Sequence, residues 1–141
     1  MTENRETPTL AWDASYSIGE ATLDAQHRGL LELIADFIAR IEAGEAEAAG
    51  HEIMPRLADY ADEHFRAEET LFREYGFPDG GTHVLQHEDF RRIVATLGMA
   101  VEAGRGRAVL ELCRFLQDWL TEHILGEDKS FGIWLGEVRS R

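Results

Sequence analysis

Several ionisable residues of this chain occur within runs of apolar residues at helical spacing, which we call apolar stripes. Their placement strongly limits the folds that the chain can adopt. His64 and Glu68 are four residues apart, as are His83 and His87 beyond a Gly/Pro turn. Each helical residue advances by about 100°, so residues four apart share a face. The stripes predict that these faces point into a core, where an unpaired carboxylate or imidazole is costly to bury. The pattern therefore indicates a metal site between helices.

Apolar side chains recur at the helical period in four long segments. The period predicts helices over about 20–42, 52–74, 82–102 and 107–125, and a short helix over about 129–138. Pro55 suits the first turn of the second helix, Thr82 is a candidate N-cap of the third, and Gly44 and Gly50 bracket a connection. Amphipathic helices with short connections predict an all-α, up-down-up-down four-helix bundle.

The length of 141 residues fits a single domain, with an arm over 1–19, a bundle over about 20–125 and a tail over 126–141. Pro8 and Gly19 disfavour a helix in the arm. Trp12, Tyr16 and Ile18 give it enough apolar surface to dock against a core.

Composition excludes several classes of function. The formal net charge of −13 argues against nucleic acid and anionic membranes, which attract basic surfaces. No segment reaches the ~18 apolar residues of a membrane helix, and no signal region is evident, so we expect a cytoplasmic protein. Cys113 is alone and cannot form an internal disulfide; we expect an inert, buried thiol. Acidic helix faces favour a monomer.

The six histidines divide into five on apolar stripes and one off them. His51 is thirteen residues from His64, about 220° around the helix, and is predicted to face the surface. One core histidine is usually a satisfied structural residue, but five would each need a buried acceptor that leucine, valine and isoleucine do not supply. Together with carboxylates they fit Zn, Cu, Fe or Ni. The five are His27, His64, His83, His87 and His123.

Spacing alone leaves two alternatives for Asp128. It follows His123 by five residues, about 140° around a continuous helix, and would point away from the site. A break at Gly126 would bring the carboxylate back, whereas an exposed Asp128 opening the tail helix is the alternative. With Asp128 the donors number seven, which exceeds one tetrahedral zinc site and fits two six-coordinate metals that share carboxylates.

Four motifs, taken in chain order, resemble those of the hemerythrin family, specifically its bacterial single-domain members: Gln26-His27, His64-Phe65-x-x-Glu68-Glu69, His83-x-x-x-His87 and His123-Ile124-x-x-x-Asp128. The resemblance extends over about residues 12–135 and includes the turn at 76–78. Phe72 and Phe131 depart from it, since Met and Tyr would be expected there in many relatives.

The resemblance implies two Fe ions, bridged by an oxo or hydroxo group. It implies that three histidines hold one iron: His83, His87 and His123. Two histidines, His27 and His64, would hold the other iron. Two carboxylates, Glu68 and Asp128, would bind both irons. The two-histidine iron would keep a position open for O2, which implies reversible O2 binding for storage, delivery or sensing. Glu69 would be a surface residue or a partner of a ligand.

Leu120 is one turn before His123 and is a candidate wall of the O2 pocket, whereas Trp119 and Phe90 are expected to be plain core. Neutral imidazoles disfavour the high-valent iron that attacks substrates, so we expect a binding protein and not an enzyme. The alternatives are a di-iron oxidase, a peroxidase or a nitric-oxide-handling enzyme, or a module that senses O2 or iron and signals to a separate partner.

Overall fold

The computed structural model describes residues 12–141, which form the predicted helical bundle. A 3₁₀ turn at Ala14–Tyr16 precedes the helices α1 (Ala21–Glu42), α2 (Ala46–Tyr60), α3 (Arg66–Tyr75), α4 (Gly80–Glu102), α5 (Gly106–Asp118) and α6 (Lys129–Arg139). A π-helical turn, Ala61–Phe65, joins α2 to α3, and a π-helical segment, Trp119–Asp128, joins α5 to α6. These two pairs therefore run as continuous rods.

The rods pack as a four-membered bundle. Helix α1 lies against α2 and α5, and α4 lies against the same two helices. Only three or four residues connect successive rods, so neighbours run antiparallel. The predicted all-α, up-down-up-down bundle with a C-terminal helix is confirmed. Over residues 12–141, no helix is both long enough and apolar enough to cross a membrane.

The predicted connection around Gly50 is wrong. Helix α2 begins at Ala46, and Gly50 lies inside it against two valines of neighbouring helices. A Cβ atom at Gly50 would lie 3.0 Å from Val109 Cγ2 and 3.3 Å from Val101 Cγ1, so this glycine allows close helix packing. Pro55 consequently lies in the helix interior and not in the first turn.

The turn between α3 and α4 is confirmed, although α4 begins earlier than predicted. Gly76 ends α3 with φ of +70°, a left-handed conformation that glycine adopts without a steric penalty. Helix α4 then begins at Gly80 with Asp79 at the N-cap position, so Thr82 is a first-turn residue and not the cap.

The N-terminal arm docks on the bundle as predicted within the described residues, and its residues 1–11 lie outside them. Trp12 and Tyr16 pack against the core, and Ile18 is buried. The Asp24 carboxylate accepts hydrogen bonds from the Ile18 N–H at 2.8 Å and from a neighbouring serine hydroxyl at 2.6 Å. Helix α1 thus fixes the arm through its first turn.

Two separate clusters of apolar side chains occupy the interior. The main core draws on α1, α2, α4 and α5 and continues into both π-helical stretches. A smaller end cluster joins the arm to α1, α3 and α6; its fully buried members are Ile18, Leu23, Phe72, Phe131 and Leu135. Along α1, His27 lies between Leu23 of the end cluster and Leu30 of the main core, and along the α5–α6 rod Asp128 lies between Ile124 of the main core and Phe131 of the end cluster.

The docking of the arm predicts a specific effect of Gly132→Ala. A Cβ atom at Gly132 would overlap the carbonyl oxygen of Ile18. Overpacking of this kind costs about 1–3 kcal/mol, so the melting temperature should fall in a circular-dichroism thermal scan.

Gly136→Ala is the matched control, because Gly136 lies in the same helix and its added Cβ atom would meet nothing within 4 Å. Helix propensity should raise its stability by up to about 1 kcal/mol. Equal melting temperatures for the two variants would contradict the proposed contact.

Candidate metal centre

All seven ionisable residues singled out from the sequence converge in the interior. Their exposed fractions lie between 0 and 4%. They come from α1, from the α2–α3 rod, from α4 and from the α5–α6 rod: His27; His64 and Glu68; His83 and His87; His123 and Asp128. The seven side chains are therefore almost completely shielded from bulk solvent.

Three histidines and one oxygen of each carboxylate form the first half of the site. His83 Nε2 lies 3.1 Å from His123 Nε2 and 2.8 Å from Asp128 Oδ1. His87 Nε2 lies 2.9 Å from Glu68 Oε1. All three imidazoles therefore direct Nε2 toward the same small volume.

Two histidines and the other carboxylate oxygens form the second half. His27 Nε2 lies 3.0 Å from His64 Nε2 and 2.9 Å from Asp128 Oδ2. His64 Nε2 lies 3.7 Å from Glu68 Oε2. Each carboxylate thus offers one oxygen to each half, and the donors form two groups, of five and four residues, that share both carboxylates.

A π-helical segment brings Asp128 to the site, so the predicted helix break at Gly126 is wrong. The rod is continuous from α5 to α6, and Trp119–Asp128 has π-helical geometry. In a π-helix the hydrogen bonds join residues five apart, so Asp128 returns to the face of His123. The alternative of an exposed Asp128 is also wrong, because its exposed fraction is 0%. The π-helical turn Ala61–Phe65 similarly contains His64.

Polar partners outside the cluster orient two of the imidazoles. Gln26 Oε1 lies 2.7 Å from His64 Nδ1, and Glu69 Oε2 lies 2.8 Å from His87 Nδ1. An Nδ1–H that donates to these oxygens leaves the lone pair of Nε2 pointing inward, as metal ligation requires. Glu69 is therefore the partner of a cluster histidine, one of the two roles expected for it.

Burial favours the neutral form of two of the imidazoles. It lowers the pKa of His64 to about 4 and that of His87 far below its usual value, although nearby Asp128 partly opposes both shifts. Both rings are therefore neutral at neutral pH, with one N–H and one free nitrogen lone pair, which is the form that binds metals.

The pKa values of the two carboxyl groups shift in opposite directions. Burial, and then the Asp128 carboxylate, raise the pKa of Glu68 well above its usual range. Burial also acts to raise the pKa of Asp128, but hydrogen bonds from four imidazoles outweigh it and hold that pKa well below its usual range. Glu68 Oε2 is buried and has no hydrogen-bond partner among the described residues. A cation would compensate this orphaned oxygen, so the donor set fits metal binding.

Aromatic rings cover the imidazoles, and two of them were not recognised from the sequence. Trp119 stacks on His123 with ring centroids 3.9 Å apart and an interplanar angle of 11°, so it is more than the plain core residue expected. Tyr60 stacks on His64 at 5.2 Å and 16°. Tyr60 precedes His64 by four residues, and that spacing was the signal that could have identified it. Phe65 stacks on His87 at 3.9 Å.

The two positions that depart from the family pattern lie at the three-histidine half. The ring centroid of Phe72 lies 4.8 Å from that of His83 and 4.7 Å from that of Phe131. Leu120 and Phe90 are buried in the main core. The burial of Phe90 confirms the prediction that it is a core residue.

Two further residues lie away from the cluster. His51 is partly exposed, and its Nδ1 lies 3.0 Å from Glu102 Oε2, which confirms that it faces elsewhere. Cys113 is half-buried and not fully buried as expected. Burial and the nearby Glu42 carboxylate raise the pKa of the Cys113 thiol, which lowers its reactivity.

Comparison with known proteins identifies the family. The model of the hemerythrin HHE cation binding domain matches residues 19–134. The chain belongs to the hemerythrin family. Membership in the hemerythrin family implies a non-haem iron centre, and the resemblance drawn from the four motifs is confirmed.

Curated relatives cover most of the chain. The bacteriohemerythrin of Stenotrophomonas maltophilia is 32% identical over 122 residues, which are 86% of this chain and 78% of that protein. The bacteriohemerythrin of Methylococcus capsulatus is 27% identical over 124 residues, 87% and 94% of the two chains. A hemerythrin-like protein of Naegleria gruberi is 31% identical over 120 residues, 85% and 88% of the two chains.

The contact between Glu69 and His87 predicts a loss of metal affinity in Glu69→Ala. Removing the acceptor frees the imidazole to rotate and weakens its basicity, and such changes typically cost about 10–100-fold in metal affinity. Competition with an iron chelator measures the loss. The control is Glu88→Ala, which removes an exposed carboxylate next to His87 in sequence. Equal affinities in the two variants would show that Glu69 does not support the site.

Proposed function

We propose that this hemerythrin-family protein binds O2 reversibly at a di-iron centre, for oxygen storage, delivery or sensing. The observation that carries the proposal is the orientation of the two carboxylates, each with one oxygen toward the three-histidine group and one toward the two-histidine group. Bridging carboxylates need this arrangement. The residues proposed to hold the two irons are His27, His64, Glu68, His83, His87, His123 and Asp128.

The two halves of the centre differ in their number of protein donors, which supports a site that binds O2 and does not merely store metal. One group offers five protein donors and the other four. If both irons also share one oxygen from solvent, a six-coordinate iron in the first half is complete, whereas one in the second keeps a position for O2. The iron pair supplies, when bound, the electrons that O2 accepts on binding.

The protein around the irons favours reversible binding over catalysis. The donor set holds five imidazoles and only two carboxylates, so the carboxylates would offset little of the charge of two irons, which disfavours the high-valent iron of substrate-oxidising enzymes. Burial of the seven side chains limits their contact with water and protons, which would otherwise promote irreversible oxidation of the iron. Leu120 is our candidate for a wall of the O2 pocket, since it is buried one turn before His123.

Optical spectra of the reduced, iron-loaded protein test this function. The anaerobic protein should be colourless, develop ligand-to-iron charge-transfer absorption in air, and lose that absorption when O2 is removed under argon. Repeated cycles should give the same amplitude. Continuous consumption of O2 in the presence of a reductant, without recovery of the spectrum, would contradict the proposal and favour the oxidase alternative.

The His64→Ala variant tests the assignment of the two-histidine half. Removing His64 leaves that half with a single imidazole, so we expect loss of the iron there and of O2 binding. The matched control is His51→Ala, since His51 lies in the same rod but outside the cluster. Iron analysis and O2 titration measure both variants, and normal iron content and O2 affinity in His64→Ala would refute the assignment.

A further inference from the structure

Two buried polar groups beside the cluster have no hydrogen-bond partner among the described residues. They are the hydroxyl of Tyr60 and the indole N–H of Trp119. The exposed fractions of the two residues are only 9% and 8%. A buried donor without a partner is destabilising, and native proteins almost always satisfy it with protein, water or ligand. Residues 12–141 therefore supply neither group with a hydrogen-bond partner.

Both side chains lie directly against the proposed iron ligands. Tyr60 stacks on His64 in the two-histidine half, and Trp119 stacks on His123 in the other half. Both also make edge contacts with Phe65, with ring centroids 5.8 and 5.9 Å apart. The unsatisfied donors are thus confined to one region at the boundary between the cluster and the main core.

The electrostatic surroundings of the Tyr60 hydroxyl show what lies near it. Burial, and then the carboxylates of Asp128 and Glu68, raise its pKa, whereas the Trp119 indole N–H, which faces the hydroxyl, acts to lower it. The two groups nevertheless fall outside hydrogen-bond geometry, so neither satisfies the other.

A path from solvent also leads toward Tyr60. A surface groove between α1 and the α2–α3 rod has a volume of about 680 Å³, and its lining includes Gln26, Leu30 and Tyr60. The groove therefore reaches two residues that contact His64, Gln26 and Tyr60.

We propose that Tyr60 and Trp119 form a donor pair that holds a small hydrogen-bond acceptor beside the two-histidine half of the centre. This inference rests on the proposed function. An indole N–H is only a donor, and an ordinary phenol with a pKa near 10 is protonated at neutral pH. The pair therefore favours acceptors with negative charge, such as azide or O2 that has accepted electrons. Water is its occupant in the absence of a ligand.

Azide binding to the diferric protein tests the donor pair. In an optical titration, Tyr60→Phe should bind azide about tenfold more weakly, because it removes one hydrogen bond to an anion and leaves the ring in place. Trp119→Phe should also bind azide more weakly, since it deletes the N–H and keeps an aromatic ring on His123. If both donors contact the same anion, the loss in the double variant should differ from the product of the single losses.

The matched control is Tyr75→Phe, which removes a hydroxyl in the same rod that accepts a hydrogen bond from Arg139 and lies outside the cluster. It should bind azide like the wild type. All variants are compared at equal iron content and equal helical circular dichroism.

The outcomes separate this inference from the proposed function. If the wild type binds iron and O2 reversibly but Tyr60→Phe keeps wild-type azide affinity, the donor pair serves a structural water only and the inference fails alone. If the wild type holds no iron, the proposed function fails and the inference fails with it. Weaker azide binding in Tyr60→Phe and in Trp119→Phe, with Tyr75→Phe unchanged, supports the donor pair.

Discussion

The burial of two carboxylates and five imidazoles in one small volume is the constraint on which this structure depends. Among residues 12–141, these seven side chains have exposed fractions of 0–4%. Desolvation disfavours their charged forms, and hydrogen bonds within the cluster compensate only in part, since Glu68 Oε2 has no partner. Cations between the donors would turn this destabilising arrangement into a binding site. The helices of the bundle therefore position a site that bound cations would complete.

The helices depart from α-helical geometry at the two places where this constraint is strongest. An α-helix aligns residues three or four apart, which suffices for His83 and His87. His123 and Asp128 are five apart, and the π-helical segment that ends at Asp128 aligns them. The other π-helical stretch contains His64. Such stretches are rare and form hydrogen bonds of poorer geometry than an α-helix, so the cluster has shaped the backbone that carries it.

Periodicity predicted most of this arrangement because helix geometry is local. The four stripes, the five inward histidines and the position of Glu68 all follow from spacing along single helices. The position of Asp128 did not follow from spacing, because residue type does not distinguish a π-helix from a helix break at Gly126. Gly50 was misread for a related reason, since its role depends on valines from other helices. The stacking of Tyr60 on His64 and of Trp119 on His123 lies within single rods and could have been predicted from the four-residue spacing, whereas the contact of Trp119 with Phe65 joins two rods.

The central claim is that two irons lie between the histidine groups and share both carboxylates. Anomalous diffraction at the iron edge from crystals of the iron-loaded protein tests it most directly. We predict two iron atoms per chain, one contacted by three imidazoles and the other by His27 and His64, with Glu68 and Asp128 contacting both. A single metal ion per chain, or two ions of which only one contacts the carboxylates, would contradict the account.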